Sequence, residues 1–242
     1  MPAPDFPRIE PLGEAALLVR FADRLDEAAN RAGLAFRAAL EVDTVAGAGE
    51  TAASLGSVLV AVEGDAEAVE DTLRRRLAAR DWRAAPLPPR RLWEIPCAYG
   101  GDHGPQLEET ARLAGTTPEA AVAELSAARV RVLALGFAPG MPYCGILPTR
   151  WDVPRQTGLT PKVPEGALVL AVRQFVLFGT SAPTGWRQVG LTRFGCFRPD
   201  QARPIALRPG DEVRFPAVSP AELEDRAGES PEFGGATWRE IA

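Results

Sequence analysis

The stretch VRVLALGFAPGMPYCGILP, residues 130–148, joins a short apolar run to a loop rich in glycine and proline. The same texture continues to residue 215 through the runs ALVLAV, FVLFG and DEVRF, which glycine and proline separate. Short apolar segments with turn residues about every eight to twelve positions are typical of a compact β sandwich or barrel. The sequence therefore predicts an all-β core over residues 130–215.

The first ninety residues show a different pattern, in which strands and helices alternate. Two strands and two helices are predicted there, the strands over 15–21 and 57–62 and the helices over 26–40 and 65–79. The Gly/Ala/Ser-rich stretch 46–56 is predicted to be a loop. Strand and helix alternation of this size indicates a small α/β sandwich. Clustered prolines at 86–90 block both helix and sheet, so the unit is expected to end there.

These patterns together predict an α+β protein in three segments. An N-terminal α/β domain covers 1–90, and a β-barrel domain with two leading helices covers 91–218. Pro105 is expected at the first position of one helix, and Thr117 is expected to cap the other, with Pro118 following it. The acidic, aperiodic stretch 219–242 is predicted to be a surface tail.

Charge and composition exclude several classes of function. The 242 residues carry 27 basic and 32 acidic side chains, a net charge of −5, so a dedicated nucleic-acid binder is not expected. Only one histidine (His103) and one lysine (Lys162) are present, which excludes a poly-histidine metal centre. No metal site is predicted, and neither GxGxxG nor GxxxxGKS occurs to cradle phosphate.

Cysteine usage and apolar run length bear on location. Three cysteines at wide spacing form no CxxC pair and no disulfide framework. The longest apolar runs, such as 58–62 and 167–172, are too short to span a bilayer. The first residues lack the basic start and apolar stretch of a signal peptide. A cytoplasmic protein without membrane contact is expected.

Six motifs in the second half carry a resemblance to one family. They are IPCAYGGDHGPQLEE (95–109), LGFAPGMPYCGILP (135–148), VPR (153–155), VPEGALVLAVRQ (163–174), PTGWRQVGLT (183–192) and LRPGDEVRF (207–215). In this order and at these intervals they resemble allophanate hydrolase subunit 1. That family includes the B subunit of bacterial ATP-dependent 5-oxoprolinase and the sporulation kinase inhibitor, and it matches the carboxyltransferase subdomains C and D of urea carboxylase.

The resemblance implies both a fold and an activity. The second domain should be a cyclophilin-like β-barrel, and the chain should be a subunit of an amide or lactam hydrolase that acts on a small carbonyl compound. Its expected partner is a subunit-2-like protein, the C subunit in the 5-oxoprolinase system, which is also cyclophilin-like; self-association through the equivalent face is the alternative. No cofactor is assigned to this chain, whereas ATP is expected to act in the complex.

The same resemblance supplies candidate site residues. Those expected to be catalytic are Arg155, Gln174 and Tyr143; those expected to bind substrate are Phe137, Pro139, Gly140, Lys162 and Trp186. Arg155 would hold a substrate anion, and Gln174 and Tyr143 would orient a carbonyl group. Each has a plainer reading: a surface ion pair for Arg155, a polar surface residue for Gln174, a core ring for Tyr143 and a solvated loop residue for Lys162.

Departures from the family pattern keep other functions open. The family's His position falls at Leu125-Ser126, and the second of its two Pro-Arg pairs falls at Leu159-Thr160. Its Ser and Tyr positions fall at Ala167 and Phe178, and the Arg of its Gly-Arg-Thr falls at Leu191. Loss of cationic donors weakens recognition of carboxylate or phosphate. Two alternatives therefore stand beside the hydrolase: a repurposed apolar pocket that performs non-hydrolytic chemistry on a more hydrophobic substrate, and a regulatory binding protein that resembles the kinase inhibitor.

Overall fold

The fold is described from a computed structural model that covers residues 6–241. Residues 1–5 and 242 lie outside the described residues, and with them the start of the segment predicted not to be a signal peptide and the last residue of the predicted tail. The chain divides into two compact units, one that ends at Pro89 and one over Arg90–Ile241. No helix in the described part is long and apolar enough to cross a membrane.

The first unit is a two-layer sandwich of one sheet and two helices. Its elements are β1 (Arg8–Pro11), β2 (Ala16–Arg20), α1 (Glu27–Val42), β3 (Ala48–Ser54), β4 (Ser57–Val62) and α2 (Ala66–Ala78). The strands pair antiparallel in the order β1-β2-β4-β3. Alternate residues of β2 and β4 are buried and share one core with the helices, as the period of two in a half-buried strand requires.

The ends of both helices follow from local sequence. Asp26 accepts a hydrogen bond from the Ala29 N–H at the start of α1, and Asp65 caps α2 in the same way, which satisfies N–H groups that have no partner within the helix. The predicted loop over 46–56 is wrong, because β3 occupies most of it and pairs along β4. The small and polar residues of β3 do not show the apolar pattern of a strand. The segment becomes a strand because it pairs with the apolar strand β4.

The second unit is built on a curled nine-stranded sheet that forms a half-barrel, which confirms the predicted α+β class. The strands in chain order are β5 (Arg90–Glu94), β6 (Ala98–Tyr99), β7 (Val130–Leu135), β8 (Pro142–Gly145), β9 (Thr160–Val163), β10 (Ala167–Ala171), β11 (Gln174–Leu177), β12 (Ala182–Thr184), β13 (Arg187–Leu191), β14 (Glu212–Arg214) and β15 (Thr237–Ile241). The sheet order is β15-β5-β14-β7-β8-β11-β10-β13-β6, and β12 pairs with β9 in a separate two-stranded sheet.

Strand β10 is buried on both faces, as its uninterrupted apolar sequence ALVLA indicates. Leu168 and Leu170 point into the main barrel core, which also holds Trp93, Phe175 and Phe215 in the same cluster. Ala167 and Val169 point the other way, into a second, smaller cluster. That smaller cluster underlies the candidate site.

Three helices accompany the sheet: α3 (Leu107–Leu113), α4 (Pro118–Ala127) and α5 (Pro220–Glu229). Thr117 caps α4 by accepting from the Ala120 N–H, with Pro118 at its first position, as predicted. Pro105 does not begin a helix; α3 starts two residues later. The residues predicted as an aperiodic tail instead form α5 and β15, and β15 joins the edge of the sheet beside β5.

Candidate functional site

A small cavity of about 120 Å³ opens on the face of the sheet opposite the main core, beside the two-stranded β9–β12 sheet. It brings together four of the eight candidate site residues, namely Phe137, Tyr143, Arg155 and Trp186. Its volume lies below the ~300–1,000 Å³ of typical drug-sized pockets. The cavity therefore suits a small molecule or one end of a larger one.

Strand register places the two aromatic residues of the cavity. Tyr143 of β8 lies opposite Val176 of β11, so both side chains stand on the same face of the sheet. The Tyr143 ring meets Trp186 edge to face, with centroids 6.2 Å apart at 78°. This arrangement fixes both rings by packing and leaves the phenol half-buried at the cavity.

Arg155 is held by the residues on both sides of it. The backbone N–H of Gln156 donates to the Gly185 carbonyl at 2.7 Å, and its side-chain amide donates to the Trp186 carbonyl at 3.1 Å. On the other side, Arg187 donates to the Pro154 carbonyl at 2.6 Å. The exposed guanidinium of Arg155 is thus carried on an anchored segment at the edge of the cavity, which lowers the entropy cost of ordering it around an anion.

The electrostatics of the cavity favour a neutral phenol beside a cation. Burial raises the pKa of Tyr143, and the nearby positive charge of Arg155 partly opposes that rise. Because the net shift is upward, the phenol stays protonated at neutral pH and can donate a hydrogen bond. Among residues 6–241, no carboxylate forms an ion pair with Arg155, so its charge is free for a ligand.

The other predicted site residues do not line the cavity. Gln174 begins β11, on the same face as Val176 but one pleat further along. Lys162 lies on β9 with its side chain exposed. Pro139 and Gly140 form the turn before β8, where Gly140 has a φ of +70° and lies against the Cys196 carbonyl. The roles assigned to these four residues stay predictions.

The list of candidate site residues omitted several that line the cavity: Met141, Leu159, Val176, Phe178, Pro183, Thr184 and Gly185. Of these, Leu159 and Phe178 entered the sequence analysis only as positions that depart from the family pattern. A spacing of two residues offered a signal for two others, because residues two apart in extended chain lie on the same face. Met141 lies two residues before Tyr143, and Val176 lies two residues before Phe178, which also lines the cavity. The anchoring network had no local signal at all. Gln106 on the approach to α3 donates to the Gln156 side chain at 2.8 Å across fifty positions of sequence.

The cavity can bind and orient, but it lacks the groups for hydrolysis. Tyr143 and Arg155 are the titratable residues that line it. Neither is an ordinary general base at neutral pH. His103 lies elsewhere, in the turn before α3, where its carbonyl accepts from Gln188. No group of three or more His, Cys, Asp or Glu side chains suited to a metal ion occurs among the described residues. A hydrolytic reaction here would need groups from outside this cavity.

The three cysteines should be chemically inert in the folded protein. Cys97, Cys144 and Cys196 are buried free thiols, and burial raises the pKa of each, to about 12 for Cys196. The reactive thiolate is therefore scarce at pH 8. We expect Ellman's reagent to label all three thiols in urea but none on the same timescale without it. Rapid labelling of one thiol in the native protein would contradict this expectation.

Comparison with known proteins gives a consistent relationship across most of the chain. The family model described as "Carboxyltransferase domain, subdomain C and D" matches residues 7–207. The B subunit of 5-oxoprolinase from Bacillus subtilis (strain 168) is 32% identical over 227 residues, which cover 88% of this chain and 93% of that protein. The B subunit of 5-oxoprolinase from Escherichia coli O157:H7 is 38% identical over 128 residues, 53% of this chain and 59% of that protein.

Solved structures agree on the fold. The uncharacterized protein PH0987 from Pyrococcus horikoshii is 29% identical, with a TM-score of 0.52 over 89% of this chain and 99% of that one. TTHA0988 is also 29% identical, with a TM-score of 0.70 over 85% of this chain, but the match spans only 40% of TTHA0988. The urea amidolyase of K. lactis is 16% identical and shares the fold with a TM-score of 0.68. The match covers 96% of this chain and 16% of the amidolyase chain.

Proposed function

The chain belongs to the family of carboxyltransferase domains, subdomain C and D, and from this premise we propose that it is one subunit of an ATP-dependent amide or lactam hydrolase. The observation that carries the proposal is the near full-length similarity to the 5-oxoprolinase B subunit of Bacillus subtilis, which spans 93% of that protein. The proposed substrate is therefore 5-oxoproline or a small lactam or amide of similar size.

The cavity supports this role in binding rather than in bond cleavage. Arg155 would hold the substrate carboxylate through its planar pair of N–H donors. The protonated phenol of Tyr143 would donate to the ring carbonyl, and Gln174 is proposed to assist from the adjacent pleat. Lys162, Phe137 and Trp186, with the turn at Pro139 and Gly140, would complete the surroundings of the substrate. ATP would supply the driving force within the complex.

A second protein is a necessary part of the proposal, because the cavity contains no general base. Two large apolar side chains at its rim are exposed, Phe137 by 74% and Leu159 by 65%. Phe137 also has a positive φ of 71°, a backbone conformation that costs a non-glycine residue free energy. Exposed apolar groups beside a binding site are typical of a surface that another protein covers. A subunit-2-like, cyclophilin-like protein is the proposed occupant.

The experiment is ATP-dependent cleavage of 5-oxoproline by this chain, co-expressed with the A and C subunits of a 5-oxoprolinase. Arg155→Ala should lower kcat/KM by about 10- to 100-fold, since a hydrogen bond to a charged group contributes about 1.5–3 kcal/mol. Arg155→Lys should recover only part of that loss, because an ammonium group cannot make the paired contact.

Arg226→Ala is the matched control, because Arg226 lies on α5 in an exposed pair with Glu222 and lines no part of the cavity. It should leave the rate within about twofold, as surface pairs contribute little. An unchanged rate in a stably assembled Arg155→Ala complex would remove Arg155 from the site. An assembled wild-type complex that never cleaves 5-oxoproline would instead contradict the proposed substrate.

The second candidate is non-hydrolytic chemistry on a more hydrophobic substrate. The observation that favours it is the lining itself, in which Met141, Leu159, Val176 and Phe178 line the same cavity as the cation of Arg155. Such a lining favours apolar groups by roughly 25 cal/mol for each Å² buried. Tighter binding of apolar amides than of 5-oxoproline, without turnover of either, would support this candidate over the first.

A further inference from the structure

The second unit contains another, larger cavity of about 430 Å³ at the β15 edge of the sheet. Three aromatic rings and three guanidinium groups line much of it: Trp93, Phe233, Trp238, Arg91, Arg198 and Arg203. It shares no lining residue with the cavity around Tyr143 and Arg155. Its volume falls within the range of small-molecule sites.

The aromatic part of this second cavity follows from strand pairing. Trp238 of β15 lies directly opposite Trp93 of β5, so both rings stand on the same face, 6.0 Å apart and tilted by 35°. Phe233 meets Trp93 edge to face at 5.2 Å. Trp93 is buried, whereas Trp238 is 44% exposed. The result is a rigid aromatic wall with one ring open to solvent.

The guanidinium groups divide into one structural and two available cations. The guanidinium of Arg91 lies over both indole rings, 5.2 Å from the Trp93 centroid and 5.6 Å from that of Trp238, and it is committed to the buried Asp211, to which its Nε donates at 3.0 Å. Within the described part of the chain, Arg198 and Arg203 form no ion pair. Glu232 is the one carboxylate among the described residues that line the cavity. Two uncommitted cations and one carboxylate leave the cavity with a positive charge.

Two donor nitrogens in residues that line the cavity have no acceptor within the described part of the chain. The guanidinium of Arg198 stacks over Phe233, 4.6 Å from its centroid, yet its Nε is buried with no acceptor among residues 6–241. The indole nitrogen of Trp93 is buried and equally without an acceptor in that range. Buried donors in the same state also occur elsewhere in this protein, at Arg187 and Arg214 for example, so these two support a ligand only together with the rings and cations of the cavity.

We propose that this second cavity binds a small aromatic carboxylate. The ligand ring packs against Trp238 and Phe233, and its carboxylate accepts hydrogen bonds from Arg198 and Arg203. The ligand needs both an aromatic ring and an anionic group. The ring matches the apolar aromatic wall, and the anion matches the positive charge of the loop that carries Arg198 and Arg203. Because the two cavities share no lining residue, the test of this site does not depend on the proposed hydrolase function.

Calorimetric titration with indole-3-carboxylate tests the site on the full chain. We expect saturable binding to the wild-type protein, and about tenfold weaker binding to Arg198→Ala, since a charge-assisted hydrogen bond is lost. Arg203→Ala should weaken binding similarly, and because Arg203 lies exposed in a loop, its loss should leave the fold intact. Indole-3-carboxamide, which keeps the ring but not the charge, should bind at least tenfold more weakly than the acid.

Arg239→Ala is the matched control for charge. Arg239 lies on β15 next to Trp238, and because strand side chains alternate between faces it points away from the cavity. Its loss should change the affinity by less than about twofold. No binding of the acid at millimolar concentration, equal binding of acid and amide, or equal weakening by Arg239→Ala would each overturn the proposal.

Discussion

Replacing Gly140 with alanine should lower the free energy of unfolding by about 3 kcal/mol, from backbone strain and overpacking together. Gly140 has a φ of +70°, a region that side-chain-bearing residues rarely adopt. An added Cβ would also lie less than 3.0 Å from the Cys196 carbonyl oxygen. Because that neighbour is backbone in a strand-rich core, it cannot rotate aside as a flexible side chain would.

Gly136→Ala in the same loop is the matched control. Gly136 does not have a positive φ, and a Cβ there would meet nothing within 4 Å. Urea unfolding followed by circular dichroism should show a change within about 0.5 kcal/mol for this variant. Equal destabilisation by the two substitutions would show that the loop, and not the close approach at Gly140, is responsible. The expected difference would make Gly140 a shaping residue of the site rather than a contact to substrate.

Replacing Asp211 with alanine should cost about 3–5 kcal/mol of stability, because it leaves a largely buried arginine without its partner. Asp211 is completely buried. It accepts from Arg91 through both oxygens and from the Arg208 backbone N–H at 3.0 Å, which closes the turn before β14. One substitution therefore removes an ion pair and a turn contact together.

Asp225→Ala provides the comparison for Asp211→Ala. Asp225 is an exposed carboxylate on α5, and its loss should change stability by less than about 0.5 kcal/mol. Chemical denaturation of both variants at neutral pH measures the difference. A loss below about 1 kcal/mol for Asp211→Ala would mean that water or a neighbouring group compensates Arg91, contrary to the buried pair described above.

Elements with a strong local period could be predicted, and those without one could not. The apolar repeat of α2 at Val69, Leu73 and Leu77, and the continuous apolar run of β4, place both elements within a residue of their observed bounds. Strand β3 carries mostly small residues and becomes a strand because β4 lies beside it. Helix α5 did have a readable signal, since Ser219 and Pro220 repeat the cap that marks α4.

The candidate site was predicted only in part, because motifs identify residues of the site but not the long-range contacts that hold them. Resemblance in sequence motifs identified Tyr143, Arg155, Phe137 and Trp186, which the fold brings to one cavity. The anchoring of Arg155 by Gln156 and Arg187 depends on contacts with residues about thirty positions away. No local pattern encodes such contacts, because they depend on how distant strands are brought together.

The sequence alone determined the fold class, the family and the shortage of histidine and lysine that rules out several mechanisms, because these depend on composition, periodicity and motif spacing. Only the tertiary structure decided that Gln174 and Lys162 lie away from the small cavity and that the end of the chain completes the sheet. It also decided that Trp93 and Trp238, 145 positions apart, form one wall of a second cavity. The physical reason is that β15 pairs with β5 through backbone hydrogen bonds, and backbone groups are much the same whatever the side chains. The position of β15 in the sheet is therefore set by the free edge of β5, which exists only once the rest of the sheet has formed.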